Sequence, residues 1–170
     1  MKDNSEEMLP IVDESGHITG AATRGECHGG SKQLHPVVHL HVFDRDGNLY
    51  LQLRPEWKDI QPGKWDTAVG GHIDLGENVE MALRREAREE LGMVNFNYEY
   101  LLSYVFESDR EKELVNVFKT VADTLPTPSK ELAGGRFWSA EEIAANMGKG
   151  VFTPNFESEY RNVFSICPKK

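Results

Sequence analysis

The chain has 170 residues, 39% hydrophobic and 28% charged, enough for one packed core and short for two. A formal net charge of −9 speaks against nucleic-acid or anionic-membrane binding, since both surfaces are gripped by dense lysine and arginine. No apolar run approaches the length of a membrane span and the polar opening MKDNSEEM carries no signal segment, so a cytoplasmic protein is expected.

Residues 1–7, polar and acidic, read as a disordered tail, and 8–170 as a single domain. A short strand is expected at 9–13, with a turn at 14–17 leading to a second strand. The Val-rich stretch 35–43 reads as a buried strand, 44–48 (DRDGN) as a hairpin loop and 49–54 as the returning strand. Residues 55–64 read as loop and 65–71 as a segment leading into glycines. The clearest helix is 78–91, where Val79, Leu83, Ala87 and Leu91 form one apolar row and Gly92 stands at the C-cap. Strands follow at 98–106, 114–121 and 136–138. Ser139 and Glu142 form a capping box for another helix, and a last helix is expected at 158–164. Strands and helices mix without strict alternation, which predicts an α/β fold with a mixed sheet. Cys27 and Cys167, at opposite ends of the chain, predict neither a disulfide scaffold nor a zinc motif.

The chemistry concentrates in GHIDLGENVEMALRREAREELGM, residues 71–93. At about 100° per residue, Glu86, Glu89 and Glu90 share one arc of the helix. Carboxylates that close repel one another, and hard oxygen ligands suit Mg²⁺ or Mn²⁺. Arg85 and Arg88 offset part of the charge. Taken alone, such a helix reads better as a solvated surface with ion pairs.

The surroundings decide. Gly71, Glu77, Arg85, Glu86, Glu89, Glu90, Gly92 and Met93 satisfy the Nudix box, G-x5-E-x7-R-E-U-x-E-E-x-G-U, with Ala87 at one bulky-aliphatic position. Seven fixed positions match by chance in roughly one window in a billion. The segment therefore resembles the Nudix superfamily, which implies an α/β/α sandwich and a metal-assisted attack of water on a diphosphate. Carried over by that resemblance, Glu86, Glu89 and Glu90 with the Gly71 carbonyl are metal ligands. Glu86, Arg85 and Glu89 are the catalytic set, and Glu77 and Gly92 are structural. The base is left open between Glu86 and a residue outside the box, Glu111, Glu113 or Glu131.

A wider resemblance covers most of the chain. VDESGHITGAATRGECHGGSKQLHPVVHLHVFD, followed by LQLRPEWKDIQPGKWDTAVGGHIDLGE, is similar to isopentenyl diphosphate isomerase and its hydrolase relatives. This resemblance implies a second, transition-metal site at His28, His35, His72, Glu111 and Glu113, and diphosphate contacts from Arg54 and Lys58. Each of these also reads as an ordinary solvated or capping residue. His39 and His41 are expected to have no ligand role, and Cys27 beside His28 is a weak nucleophile signal. Trp57, Trp65, Phe106 and Phe152 could stack on a base or belong to the core.

The isomerase pattern asks for a Cys acid/base at position 70, and glycine there has no proton to give. It also asks for a Trp near the C-terminus, where FTPNF offers Asn155. The expected function is hydrolysis of a diphosphate in a nucleoside diphosphate-type substrate, the alternatives being an isomerase or a non-catalytic diphosphate-binding module. The expected partner is a small-molecule diphosphate, with no nucleic acid and no membrane. The oligomeric state is open, a homodimer included.

Overall fold

The computed structural model describes residues 6–58 and 60–165. In chain order these form strands β1 (Met8–Val12) and β2 (Ile18–Thr23), the one-turn helix α1 (Arg24–His28), and strands β3 (Leu34–Phe43), β4 (Leu49–Leu53), β5 (Trp65–Thr67) and β6 (Val69–His72). Helix α2 (Val79–Leu91) follows, then strands β7 (Glu99–Glu107), β8 (Lys112–Val121) and β9 (Gly134–Trp138), and helices α3 (Ala140–Asn146) and α4 (Pro154–Tyr160).

β1 and β2 pair alone, antiparallel, around a turn in which the Asp13 side chain accepts from the Ser15 and His17 amides. The other seven strands make one mixed sheet centred on β3. β3 runs parallel to β8 over its whole length and antiparallel to β6 through Val37–Leu40, and meets β4 only at Val42 and Phe43. β4 carries β5 and β9, and β7 closes the far edge on β8.

Alternation along β3 sends its side chains to two covered faces. Val38, Leu40 and Val42 meet Ala82, Leu83, Ala87 and Leu91 of α2. The opposite face of the sheet packs Leu49, Leu51 and Trp138 against Ile143 of α3 and Phe152 and Phe156 near α4. The result is an α/β/α sandwich with a mixed sheet. α2 keeps the expected apolar row, with Asn78 as N-cap accepting from the Met81 amide and Gly92 left-handed at φ 68°. No helix among the described residues is long and apolar enough to cross a membrane.

Three elements differ from expectation. α1 is not legible by periodicity because it is one turn long. It is held by a Thr23–Glu26 capping box, a local hydrogen-bond device rather than an apolar stripe. β9 starts two residues early, because its glycines hide the strand pattern; a side chain at Gly135 would overlap the Tyr50 hydroxyl. The last helix starts at Pro154, not 158, with Thr153 as N-cap and proline in its first turn, and runs into a π-type turn at Arg161–Ser165. Glu7, placed in the polar tail by composition, is tied to Arg24: its carbonyl accepts from the Arg24 amide and its carboxylate from the guanidinium. Residues 1–5 and Cys167 lie outside the described residues.

Candidate active site and metal centre

Arg85 organises the acidic helix. Its Nε and one terminal nitrogen make a two-pronged contact with Glu77 at 2.7 and 2.9 Å, and the other terminal nitrogen reaches Glu86 at 3.0 Å and Glu89 at 3.4 Å. The same guanidinium donates to the His72 carbonyl, tying α2 to β6. The Glu77 hydrogen bonds hold Arg85 further up its already basic range and hold the Glu77 carboxyl below the usual range. Glu77 thus holds the Arg85 guanidinium in place.

Glu90 accepts from the Gln52 amide at 3.0 Å and lies 3.4 Å from the Gly70 amide nitrogen. Burial, then the neighbouring Glu86, pushes the Glu90 carboxyl well above its ordinary value; burial likewise raises Glu86. Two crowded, desolvated carboxyl groups make a poor surface feature and a good cation site. Glu89 is half exposed. A Cβ at Gly71 would overlap the Glu86 carboxylate, so any side chain there would have to displace it.

A second cluster lies across β6. His28 Nε2 is 3.0 Å from His72 Nε2 and 3.2 Å from Glu111 Oε1. His35 joins them with ring centroids 5.4 Å from His72 and 5.7 Å from His28. His35 Nδ1 faces the Gln33 carbonyl at 3.0 Å, so it carries the proton and Nε2 keeps its lone pair. That buried Nε2 has no hydrogen-bond partner, and Glu113 Oε2 stands 3.9 Å away. Burial pushes His35 down and His72 well down, keeping both in the neutral form that coordinates. Burial and Glu111 push Glu113 up to about 8. Three imidazole nitrogens and two carboxylates with one orphaned lone pair fit a transition metal.

Between β6, α1 and the β7–β8 loop lies a cavity of about 770 Å³. His28, His72, Glu111 and Glu113 line one wall, and Arg24, Arg54, Lys58 and Arg110 supply cations. Gly70, Gly71 and His72 all line the cavity, and the Glu86 carboxylate of α2 comes up against Gly71. The box carboxylates and the imidazole cluster are thus neighbours through one strand.

The NUDIX domain family matches residues 33–156. That span holds the box and its sheet, and it exceeds half the chain. The chain belongs to the Nudix family. It is 32% identical over 160 residues to an isopentenyl-diphosphate Delta-isomerase of Streptomyces griseus, covering 88% of this chain and 79% of that one. It is 31% identical over 153 residues to an uncharacterised Nudix hydrolase of Listeria monocytogenes, covering 88% and 90%. Among solved structures, a Deinococcus radiodurans protein superposes with a TM-score of 0.80 at 25% identity, covering 93% of this chain and 99% of that one.

Outside the Nudix box the remaining sequence candidates separate. Arg54 lines the cavity but donates to the Ile60 and Gln61 carbonyls and to Asp66, so it also braces the loop that carries Lys58. Glu131 is exposed and does not line the cavity. Cys27 is buried and its thiol is pushed up by that burial, the opposite of an activated nucleophile. Phe106 lines the cavity, while Phe152 and Trp65 pack in the core cluster and Trp57 is exposed.

Sequence reading missed a third polar cluster. His39, expected to have no ligand role, and His41, two residues on and therefore on the same face of β3, both bind one buried carboxylate, Glu159 of α4. The Tyr104 hydroxyl donates to the same carboxylate and stands 3.1 Å from the Asn155 side-chain amide. The signal available was an alternating H-x-H in an otherwise apolar strand, but its partner lies 120 residues downstream.

Proposed function

We propose that this chain hydrolyses the diphosphate linkage of a small organic diphosphate, of the nucleoside diphosphate class, with Mg²⁺ or Mn²⁺. The observation that carries the reading is the Glu77–Arg85–Glu86 brace beneath Gly71, with Glu90 crowded against Glu86. Glu86, Glu89, Glu90 and the Gly71 carbonyl would hold the cation. When bound, it would polarise the diphosphate and lower the pKa of a water.

The chain's own groups do the rest. Arg54 and Lys58, at the cavity wall, hold phosphate oxygens, and Arg24 and Arg110 line the same space. The oxygen of water bonds to phosphorus, the bridging P–O bond breaks, and the proton of that water passes to a box carboxylate. Glu86 and Glu89 are at hand for it, both steadied by one Arg85 nitrogen. His28, His35, His72, Glu111 and Glu113 would hold a transition metal as a second centre across β6.

The isomerase reading draws on the Streptomyces griseus relative and on the same imidazole cluster. Position 70 counts against it: the residue there faces the cavity and is glycine, with no proton to donate. A phosphate-release assay over nucleoside diphosphates, dinucleotides and isopentenyl diphosphate tests the choice. Metal-dependent release from a nucleoside diphosphate supports hydrolysis, and its absence across the panel overturns it.

A further inference from the structure

The third polar cluster reaches the cavity through His39 and Asn155. Glu159 is 1% exposed, and both its oxygens are taken. Oε1 accepts from His39 Nδ1 at 2.8 Å and from the Tyr104 hydroxyl at 2.5 Å; Oε2 accepts from His41 Nε2 at 2.5 Å. A carboxylate this deep is tolerated only with a matching positive charge. His41 is fully buried, whereas His39 keeps 13% of its side chain exposed and lines the cavity.

The carboxylate fixes the imidazole. With Nδ1–H committed to Glu159, the free end of His39 is Nε2, which has no protein partner among the described residues. Gly70 leaves the space beside it open: a Cβ there would come 3.4 Å from His39 Cδ2 and 3.7 Å from Nε2. The missing side chain at 70 thus leaves His39 open to the cavity. Burial pulls the imidazole down, but Glu159, with Glu113 and Asp66 behind it, raises it to about 9, so Nε2 carries a proton at neutral pH.

Asn155 stands beside this group. The Tyr104 hydroxyl gives its one proton to Glu159, so towards the Asn155 side-chain amide, 3.1 Å away, it accepts. Phe106 lines the same cavity and offers a flat apolar face. A charged donor in a cavity with an aromatic ring forms a poor seat for a hydrocarbon chain, because its desolvation would go unrepaid. It forms a good seat for a flat group bearing carbonyl or ring-nitrogen acceptors.

We propose that His39, clamped by Glu159, is a specificity-determining residue that donates a hydrogen bond to an acceptor atom of a nucleobase on the substrate, selecting it over a prenyl group. This rests on the diphosphate-hydrolase reading for the orientation of the substrate, with its phosphates toward Lys58 and its organic half toward His39.

Binding of non-hydrolysable ligands tests it without relying on turnover. The α,β-methylene diphosphates of adenosine, guanosine, cytidine and uridine are titrated calorimetrically into the full chain with Mg²⁺. Methylenediphosphonate serves as the diphosphate alone. The tightest nucleotide should exceed methylenediphosphonate in affinity by roughly 10- to 100-fold, the worth of charge-assisted hydrogen bonds. His39→Ala should erase that preference and leave the affinity for methylenediphosphonate unchanged. Gly70→Ala serves if His39→Ala fails to fold, because its methyl makes ordinary contacts and covers Nε2 without touching Glu159. Persistence of the preference in Gly70→Ala, an equal loss for both ligands, or a wild-type chain that binds none of the nucleotides would overturn the proposal. A preference that stands while no substrate is hydrolysed would overturn the hydrolase reading instead.

Discussion

The Glu86 carboxylate fills the space that a side chain on Gly71 would need. This close approach couples the first glycine of the motif to its metal-facing helix. Gly71→Ala should fold, because the obstacle is the flexible end of a glutamate and not backbone. It should also push Glu86 away from Arg85 and out of register. A misplacement of this size costs on the order of 100-fold in turnover. The check is kcat for Gly71→Ala alongside its melting temperature; a normal melt with normal kcat would contradict the coupling.

Crowded carboxylates also predict a stabilising cation. Burial and Glu86 hold Glu90 well above its ordinary pKa, so in the absence of metal its ionised form is disfavoured in the fold. A raised carboxyl contributes stability that falls as pH rises through its folded pKa. Mg²⁺ should therefore raise Tm, and more so at pH 8 than at pH 6. Glu90→Gln removes the titration and should flatten both dependences, while lowering turnover sharply. Melting curves with and without Mg²⁺ decide it, and equal Tm values at both pH values would contradict it.

The box and the sheet were legible in the sequence because both are local. The four-residue spacing of Val79, Leu83, Ala87 and Leu91 fixes which face of α2 is buried, and the carboxylates then follow beside it. The convergence of His28, His35 and His72 was reached through resemblance, not through spacing, since no periodicity joins positions 28 and 72. Their meeting depends on β3 pairing with β6. The His39–Glu159 pair was not legible, because α4 carries a partner whose only sequence feature is one more glutamate on an acidic chain. Nor could the sequence say that β6 brings the box helix up to the cavity, since that follows from Gly70, Gly71 and His72 lining the cavity while Glu86 packs on Gly71.

The Glu159 cluster makes a pH-dependent contribution to stability. His39 is raised to about 9 from an ordinary value of 6.5. Such a group adds stability that is fully present below pH 6.5 and is lost as pH rises through 9. Glu159 is lowered, its burial outweighed by His39 and His41, so its share is present above the ordinary carboxylate range and fades as pH falls through its folded value. The Tm gap between wild type and His39→Gln should shrink from pH 6.5 to 9.5. A gap that stays constant over this range would contradict the pairing.

The orphaned Nε2 of His35 predicts binding of a transition metal at the second cluster. Zn²⁺ or Mn²⁺ titrated at neutral pH should bind a site that His35→Ala abolishes and Glu90→Gln preserves, because Glu90 does not belong to that cluster of ligand atoms. His35 is fully buried, so His35→Gln is the second variant should the alanine prove unstable. Equal loss in the Glu90 and His35 variants would mean a single shared centre.

Hydrolysis itself is tested most directly by phosphorus NMR of the chain incubated with Mg²⁺ and a nucleoside diphosphate, and in parallel with isopentenyl diphosphate. The account predicts that the nucleoside diphosphate signals give way to nucleoside monophosphate and orthophosphate, and that isopentenyl diphosphate is not converted to its allylic isomer. Intact nucleoside diphosphate together with turnover of isopentenyl diphosphate to that isomer would contradict it.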